Sequence, residues 1–526
     1  MVRTVNPKVN IIDFGPNIKL ENGEVITPDE FVWGAAGITY KDIGTIPELF
    51  ELKANEEDVA EKIKKSLITN AGAGHASMAT TPGFWVMLEG NSSKMVDSMF
   101  TGVRFGSSLM PSGRRIPVEV DQIVVPQSIR NAGQAAVNEY VRASELNIRE
   151  YERLQDEDVP KQEAAKIVQY GHRGGGFMFM PLETLISLSK DFELGENDIP
   201  PEGKYIVNQM EEFVKSHGMG IVFEARKAAP RASCPNPGIF HTRENLAHEL
   251  AEQEGVSPRI IDSYAVFSDR MNERIRQYLA NREEVFDNLC SVGQAWPNLL
   301  QELEEIVGDF NDAVRIVTFA NTPWRVWGEV KRHRTLSQTA ESIYSAVERA
   351  EEVVDLYENN GQFDSRDFLE SFRKVVSMPK PIADNEEHRD IWMERFADSI
   401  GTYRYLTDKG VPKSDAVMVI PRGIKLGVVK TWDPYNLTTG MMSLRLCNDV
   451  EPEMRAITQA EYDLINESEV FPPSLRDIMA VKCHYTGFCH NRRPCGNIRK
   501  VIPDYTEDFH KTLQEKRAEE IRKRIG

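Results

Sequence analysis

Apolar and β-branched residues gather in two short runs, Phe84-Trp-Val-Met-Leu88 and Val314-Arg-Ile-Val-Thr318, and both read as strands. Each run is expected to turn into a helix. Thr322 is placed to cap the second of these helices, with Pro323 at its first position, and Ser92 or Ser93 to cap the first. Elsewhere the pattern takes a helical period. Glu56 to Thr69 and Gln127 to Gln169 read as helical, the latter with Val137, Tyr140, Val141 and Leu146 in its apolar set. Another long helical stretch is predicted from about Ile260 to Asn288. Ile343, Val347, Ala350, Val354 and Tyr357 form a stripe of period 3.6, which predicts a helix packed on a core. Gly174 to Gly176 interrupt the pattern and read as a flexible connection, with a phosphate cradle as the alternative. Lys516 to Ile525 read as a solvated helix of mixed charge, or one that docks on a partner subunit.

The strand-and-helix signal occurs twice. Asn91 to Arg114 and Asn321 to Tyr344 align without a gap at an offset of 230, with Asn91/Asn321, Val96/Val326, Arg104/Arg334, Ser107/Ser337 and Ser112/Ser342 identical. Each segment reads strand, capped helix, basic serine-rich loop, long helix. The chain is therefore expected to be a diverged tandem duplication, with residues 1–253 as the first copy, 254–480 as the second and 481–526 as a tail.

A chain of 526 residues is long enough for two or three domains, which suits a repeat of roughly half its length. Its net charge of −18 argues against a general nucleic-acid or acidic-membrane binder, so an anionic ligand must be met by a local basic cluster. Six cysteines, no hydrophobic signal peptide behind Met1 and no apolar run near membrane-spanning length predict a cytoplasmic protein. Cys483, Cys489 and Cys495, interleaved with His484 and His490, are a candidate zinc set, although the spacing is not that of a standard knuckle. The alternative is reduced thiols in an irregular tail.

The basic cluster is Arg332-His333-Arg334. At a helix end such cations can merely offset the dipole. The serines that follow at fixed spacing in both segments change the picture, because hydroxyls beside guanidinium forks suit phosphate and pyrimidine carbonyl recognition. The string Arg332-His-Arg-x-x-Ser337-x-x-x-x-Ser342 resembles the signature of flavin-dependent thymidylate synthases. Other segments resemble that family in the family's order: Ala35-Ala-Gly-Ile-Thr39-Tyr40, Gly74-His75-x-Ser77, Glu224-Ala-Arg226-x-x-x-Pro230, and Asn436 to Arg455 with Leu444-Arg445 and Glu453-Met-Arg455.

The resemblance implies an α+β fold, an antiparallel sheet packed with long helices, present twice. It implies reductive methylation of dUMP to dTMP with FAD, methylenetetrahydrofolate and NADPH. Ser112, Gly113, Arg114 and Arg226 are then expected at the dUMP phosphate and Arg445 at the pyrimidine ring. Arg332, His333, Arg334 and Ser337 are expected at the flavin, with Thr39, His75 and Ser77 at flavin or folate. Arg445 and Arg332 are the expected catalytic groups. The departures are reciprocal: Tyr344 and Val417 stand where the family has arginines, and Gly102-Val103 where it has the first two members of the basic triplet. Composite sites between the copies follow, in a homodimer forming a pseudo-tetramer that binds small molecules and neither nucleic acid nor membrane. Met110, where many members have glutamate, and Tyr344 leave open a pyrimidine nucleotide hydroxymethylase or a catalytically silent paralogue.

Overall fold

The computed structural model describes residues 3–525 apart from 40, 56–58, 114, 196, 234–235, 254–256, 267, 288 and 361–365. Strand β1 (Asn6–Gly15) lies antiparallel to β2 (Gly83–Asn91), from Asn6 opposite Asn91 to Gly15 opposite Gly83. Phe84, Val86 and Leu88 are buried while Trp85 is 37% exposed, the period of a strand with one face on a core. With β3 (Ser107–Leu109) and β4 (Gly176–Pro181) they make an antiparallel sheet in the order β1-β2-β4-β3. A second sheet contains β5 (Arg259–Ala265), β6 (Val314–Pro323), β7 (Ser337–Ala340) and β8 (Lys425–Trp432) in the order β5-β6-β8-β7, with β5–β6 and β7–β8 antiparallel. Ranked along the chain, both sheets run first, second, fourth, third. The fold is thus mixed helix and antiparallel sheet.

Gly174 to Gly176 are not a flexible connection. A Cβ on Gly174 would stand 2.6 Å from the Lys94 Cα, and one on Gly175 2.3 Å from the Leu88 carbonyl oxygen, so these glycines let β4 start hard against its neighbours.

Helices begin where the chain supplies caps. α1 (Pro28–Gly37) opens on a reciprocal Thr27–Glu30 capping box with proline at its first position. α2 (Ala60–Gly72) starts later than the pattern predicted. After β2, α3 (Val96–Phe100) is not capped by a serine: the Ser92 and Ser93 hydroxyls donate to the Glu202 carboxylate, Ser92 at 2.8 Å. The stretch 127–169 divides, because Gly133 at φ 106° and Asp158 at φ 62° followed by Pro160 interrupt the helical path. It yields Gln127–Asn131, α4 (Gln134–Asp156) and α5 (Lys161–Ala164). α6 (Gly220–Lys227) follows β4. The helix expected from Ile260 begins only at Asp269, as α7 (Asp269–Phe286) capped by Ser268, because residues 259–265 find partners along β6 and become a strand. α8 (Trp324–Val330) starts one residue late: Pro323 is its N-cap, without a side-chain bond. α9 (Ile343–Asn360) buries Ile343, Val347, Ala350 and Val354 as predicted, while the Tyr357 side chain lies outside the described residues. α10 (Glu386–Asp408), α11 (Lys413–Ala416), α12 (Met441–Arg445), α13 (Pro452–Glu467) and α14 (Glu507–Ile525) complete the principal set. α14 buries His510 and Leu513 near its start and is otherwise largely exposed, as its charge pattern predicts.

By packing, the chain forms two units, Met1–Glu244 with Pro323–Arg334 and Ser342–Leu426, and Asn245–Thr322 with Thr335–Glu341 and Gly427–Gly526. Within the first unit, α4 packs on α10 and contacts recur at matched positions. Gly171 N donates to Met418 O at 3.0 Å, and Gly423 N to Lys166 O at 2.8 Å. Lys94 N donates to His172 O at 2.7 Å, and Trp324 N to Ile424 O at 2.8 Å. Asn147 Nδ2 donates to Ser399 Oγ, 252 positions on, at 3.0 Å. Arg104 Nη1 donates to the main-chain oxygen of Arg334, 230 positions on, at 3.4 Å. The second unit has its own core in Ala247, Leu250, Phe319 and Val429, and a buried Lys430–Glu461 pair at 2.5 Å that also takes the Thr318 hydroxyl.

Candidate functional site

In the first unit the basic triplet is delivered by α8, whose Trp324, Arg325, Val326, Trp327 and Val330 are buried and fix where the chain emerges. Lys331 is buried, donates to the Asp97 main-chain oxygen and lies 4.6 Å from the Trp327 ring centre; desolvation holds its ammonium well below the usual lysine range. Arg332 is 44% exposed with Asp97 at 4.0 Å, the outer limit of an ion pair. Arg334 donates from Nε to Val103 O at 2.9 Å, and burial, then the charge of Arg332, pulls its pKa down. Of the triplet, Arg334 thus folds against Val103 and Arg104, in the segment that lacks the triplet.

Beyond β3, Ser112 and Gly113 are half-buried, and Arg114 lies outside the described residues. A Cβ on Gly113 would meet, among the described residues, one heavy atom within 4 Å: Arg422 Nη1 at 3.1 Å. Next to them, Pro111 O accepts from Lys94 Nζ at 2.5 Å, and Lys94 pairs with Asp97 at 2.7 Å.

Arg226 is placed elsewhere. Its Nη2 pairs with Glu183 at 2.7 Å and its Nη1 donates to Arg231 O at 3.1 Å, with both charged side chains at most 3% exposed. Its helix α6 follows β4, whereas Val417 ends the short α11 that precedes β8; the element standing before β4 as α11 stands before β8 is α5. Tyr344 is buried, donates to Asp198 O, and burial holds its hydroxyl well above the usual range. Thr39, His75 and Ser77 are exposed, close in sequence to the Ala36, Gly37 and Met78 that line a cavity of about 150 Å³ with Trp33, Thr45 and Asn70.

In the second unit Ser337 opens β7 and is exposed, and Arg445 ends α12 half-buried. Cys447, Cys483, Cys489 and Cys495 line one cavity of about 140 Å³ with His490. The zinc set is not formed: among the described residues no three of these ligand types stand where they could hold an ion. Cys483 and Cys489 are buried thiols, and desolvation pushes Cys483 up to about 12, which keeps it protonated.

Residues 310–472, from the turn before β6 through α13, match the family model "Thymidylate synthase complementing protein". In this part the chain is similar to flavin-dependent thymidylate synthases. The flavin-dependent thymidylate synthase of Saccharolobus solfataricus is 25% identical over 130 residues, 24% of this chain and 48% of that protein. That of Pyrococcus furiosus is 22% identical over 135 residues, 25% and 55% respectively, and that of Pyrococcus abyssi 23% over 147, 27% and 60%. The chain thus spans about half the length of the curated relatives it matches. The UMP/dUMP methylase PolB of Streptomyces cacaoi bound with 5-Br dUMP superposes on 44% of this chain, all of its own, at 14% identity and a TM-score of 0.33, too loosely to bear on fold or function.

Of the residues expected from the family, Arg334 meets Val103 and Arg104 ahead of β3, Ser112 and Gly113 follow β3, and Arg226 stands in a buried ion pair. Lys94 and Arg422 were not expected at all. The signal for Arg422 was present: Val159-Pro-Lys161 and Val411-Pro-Lys413 repeat at an offset of 252, which pairs α5 with α11 and points away from α6. Among the described residues, no helix is long and apolar enough to cross a membrane.

Proposed function

We propose that the chain catalyses FAD-dependent reductive methylation of dUMP to dTMP, with methylenetetrahydrofolate as one-carbon donor and NADPH as reductant, at sites composed from two tandem copies of one fold. The observation that carries this reading is the packing of Arg334 against Val103 and Arg104, which joins the basic triplet to the matching segment that lacks one. The shared strand order and the hydrogen bonds recurring at offsets of 230 and 252 support two copies.

The residues fit a dinucleotide: Arg332 is open to solvent beside the half-buried Arg334, and guanidinium forks suit its phosphates. When bound, the flavin supplies the hydride that completes the methyl group. Ser112, Gly113 and Arg114 orient the nucleotide by its phosphate, and the resemblance assigns Arg445 to polarising the pyrimidine ring. Thr39, His75 and Ser77 keep their expected role at flavin or folate, and the assembly is a homodimer acting as a pseudo-tetramer.

The burial of Tyr344 in place of the family's arginine favours a second reading, a pyrimidine nucleotide hydroxymethylase in which water replaces hydride in the last step. Anaerobic turnover of dUMP with methylenetetrahydrofolate and NADPH, with the product identified by mass spectrometry, separates the two. dTMP is expected. A hydroxymethylated product establishes the second reading, and protein that yields neither product nor a flavin spectrum overturns both. Bound flavin should equal the number of chains; twice that number would mean that both kinds of inter-copy site work.

A further inference from the structure

The first unit also holds a buried excess of positive charge. Lys94 and Arg422 are 4% and 2% exposed; Lys94 Nζ reaches Pro111 O and pairs with Asp97, while Arg422 Nη1 stands beside Gly113. His172, whose main-chain oxygen accepts from Lys94 N, does not add to the charge: burial, then the charges of Arg422 and Lys94, keep its imidazole neutral. Arg422 is only partly satisfied. Its main-chain N and its Nε both donate to Val168 O, at 3.1 and 2.9 Å, and its guanidinium lies 5.5 Å from the Tyr170 ring centre. Its Nη2 is buried and, among the described residues, has no hydrogen-bond partner. Lys94 carries three protons, two of which are directed to Asp97 and Pro111. Buried cations with open donors on either side of a loop lose solvation without recovering it, and an anion between them restores the balance.

We propose that Lys94 and Arg422, on either side of Ser112 and Gly113, bind the phosphate of the nucleotide substrate, with Arg422 supplying the guanidinium that is lost five residues earlier at Val417. A bidentate guanidinium fork matches a phosphate, and the bare Gly113 leaves room beside Nη1. The identity of the nucleotide rests on the function proposed above; the phosphate site does not.

Equilibrium binding to the full-length chain, with thermal melts as the check on folding, tests it with four probes: dUMP, deoxyuridine, inorganic phosphate and FAD. Arg422→Lys and Arg422→Gln should each weaken dUMP at least about tenfold, roughly 1.4 kcal/mol, weaken phosphate likewise, and leave deoxyuridine and FAD unchanged. Lys94→Gln should give the same ranking, and it decides the matter if the Arg422 variants fail to fold. Unchanged dUMP and phosphate affinity in folded variants overturns the proposal. Loss of FAD with dUMP retained also overturns it, because the phosphate held would then be the flavin's. If the unsubstituted chain binds phosphate through these residues but no dUMP, the site stands and the proposed substrate falls.

Discussion

Residues 102–113 and 332–344 follow matching strands and helices, yet each loop is open where the other is closed. Gly102 and Val103 are buried, a Cβ on Gly102 falling 3.3 Å from the Lys331 side chain, while the matching Arg332 stands 44% exposed. Ser112 and Gly113 are half-buried with a guanidinium beside them; Ser342 and Tyr344 are buried, with the Tyr344 hydroxyl bonded to Asp198 O. On the composite-site reading proposed above, one loop would have lost its site by removal of charge and the other by filling with an aromatic side chain.

The severest way to break this contrast is Arg226→Ala. If Arg226 is structural, removing it strands the buried Glu183 carboxylate and should cost about 3–5 kcal/mol in urea unfolding. A stable variant with weakened dUMP binding would return Arg226 to the phosphate and unmake the division described here. Next comes Asp415 of α11, whose carboxyl burial pushes up to about 6, against the opposing hydrogen bond from Ser128. A folded-state pKa above the unfolded value of 3.8 means that the native form holds the proton longer. Stability should then fall as pH rises from about 4 to 6 and level off above, by about 2–3 kcal/mol. Asp415→Asn should flatten that slope in melts across the window, leaving the part due to Asp29, which burial also raises to about 6. An unchanged slope would show that Asp415 ionises freely.

The double variant Arg332→Ala/Arg334→Ala should weaken flavin retention about ten- to a hundredfold, by analogy with lost charge-assisted hydrogen bonds, with dUMP affinity preserved. The flavin absorbance of purified protein reads it, and full retention would detach the triplet from the cofactor. The smallest effect belongs to Tyr344→Phe, about 1 kcal/mol of stability from one lost hydrogen bond. A change in dUMP affinity there would mean that the second loop is not closed after all.

The strands at 83–91 and 314–323 and the α9 stripe were legible because one-sided burial writes a period into the residues. Helix limits were less so: Gly133 and Asp158 interrupt 127–169 through left-handed backbone, and Ile260 to Ala265 carry apolar residues that satisfy strand and helix alike until β6 is there to pair with. The basic triplet was legible as local sequence. The proposed phosphate-side cations were not, because Lys94 and Arg422 lie far apart in the chain and are linked through the segment 168–172, to which both donate from their main-chain N.

Asn147 meets Ser399, 252 positions on, so in the tandem duplication proposed above each is the other's counterpart. In an assembly of identical chains, a residue at such a place meets itself and must be compatible with its own image. Joined in one polypeptide, the two places mutate independently, so a donor can settle opposite an unlike acceptor. Symmetric pairs such as Arg104 and Arg334 can then drift in the same way. Covalent linkage thus does more than fix stoichiometry. It gives the seam between two like folds the freedom to acquire a left and a right.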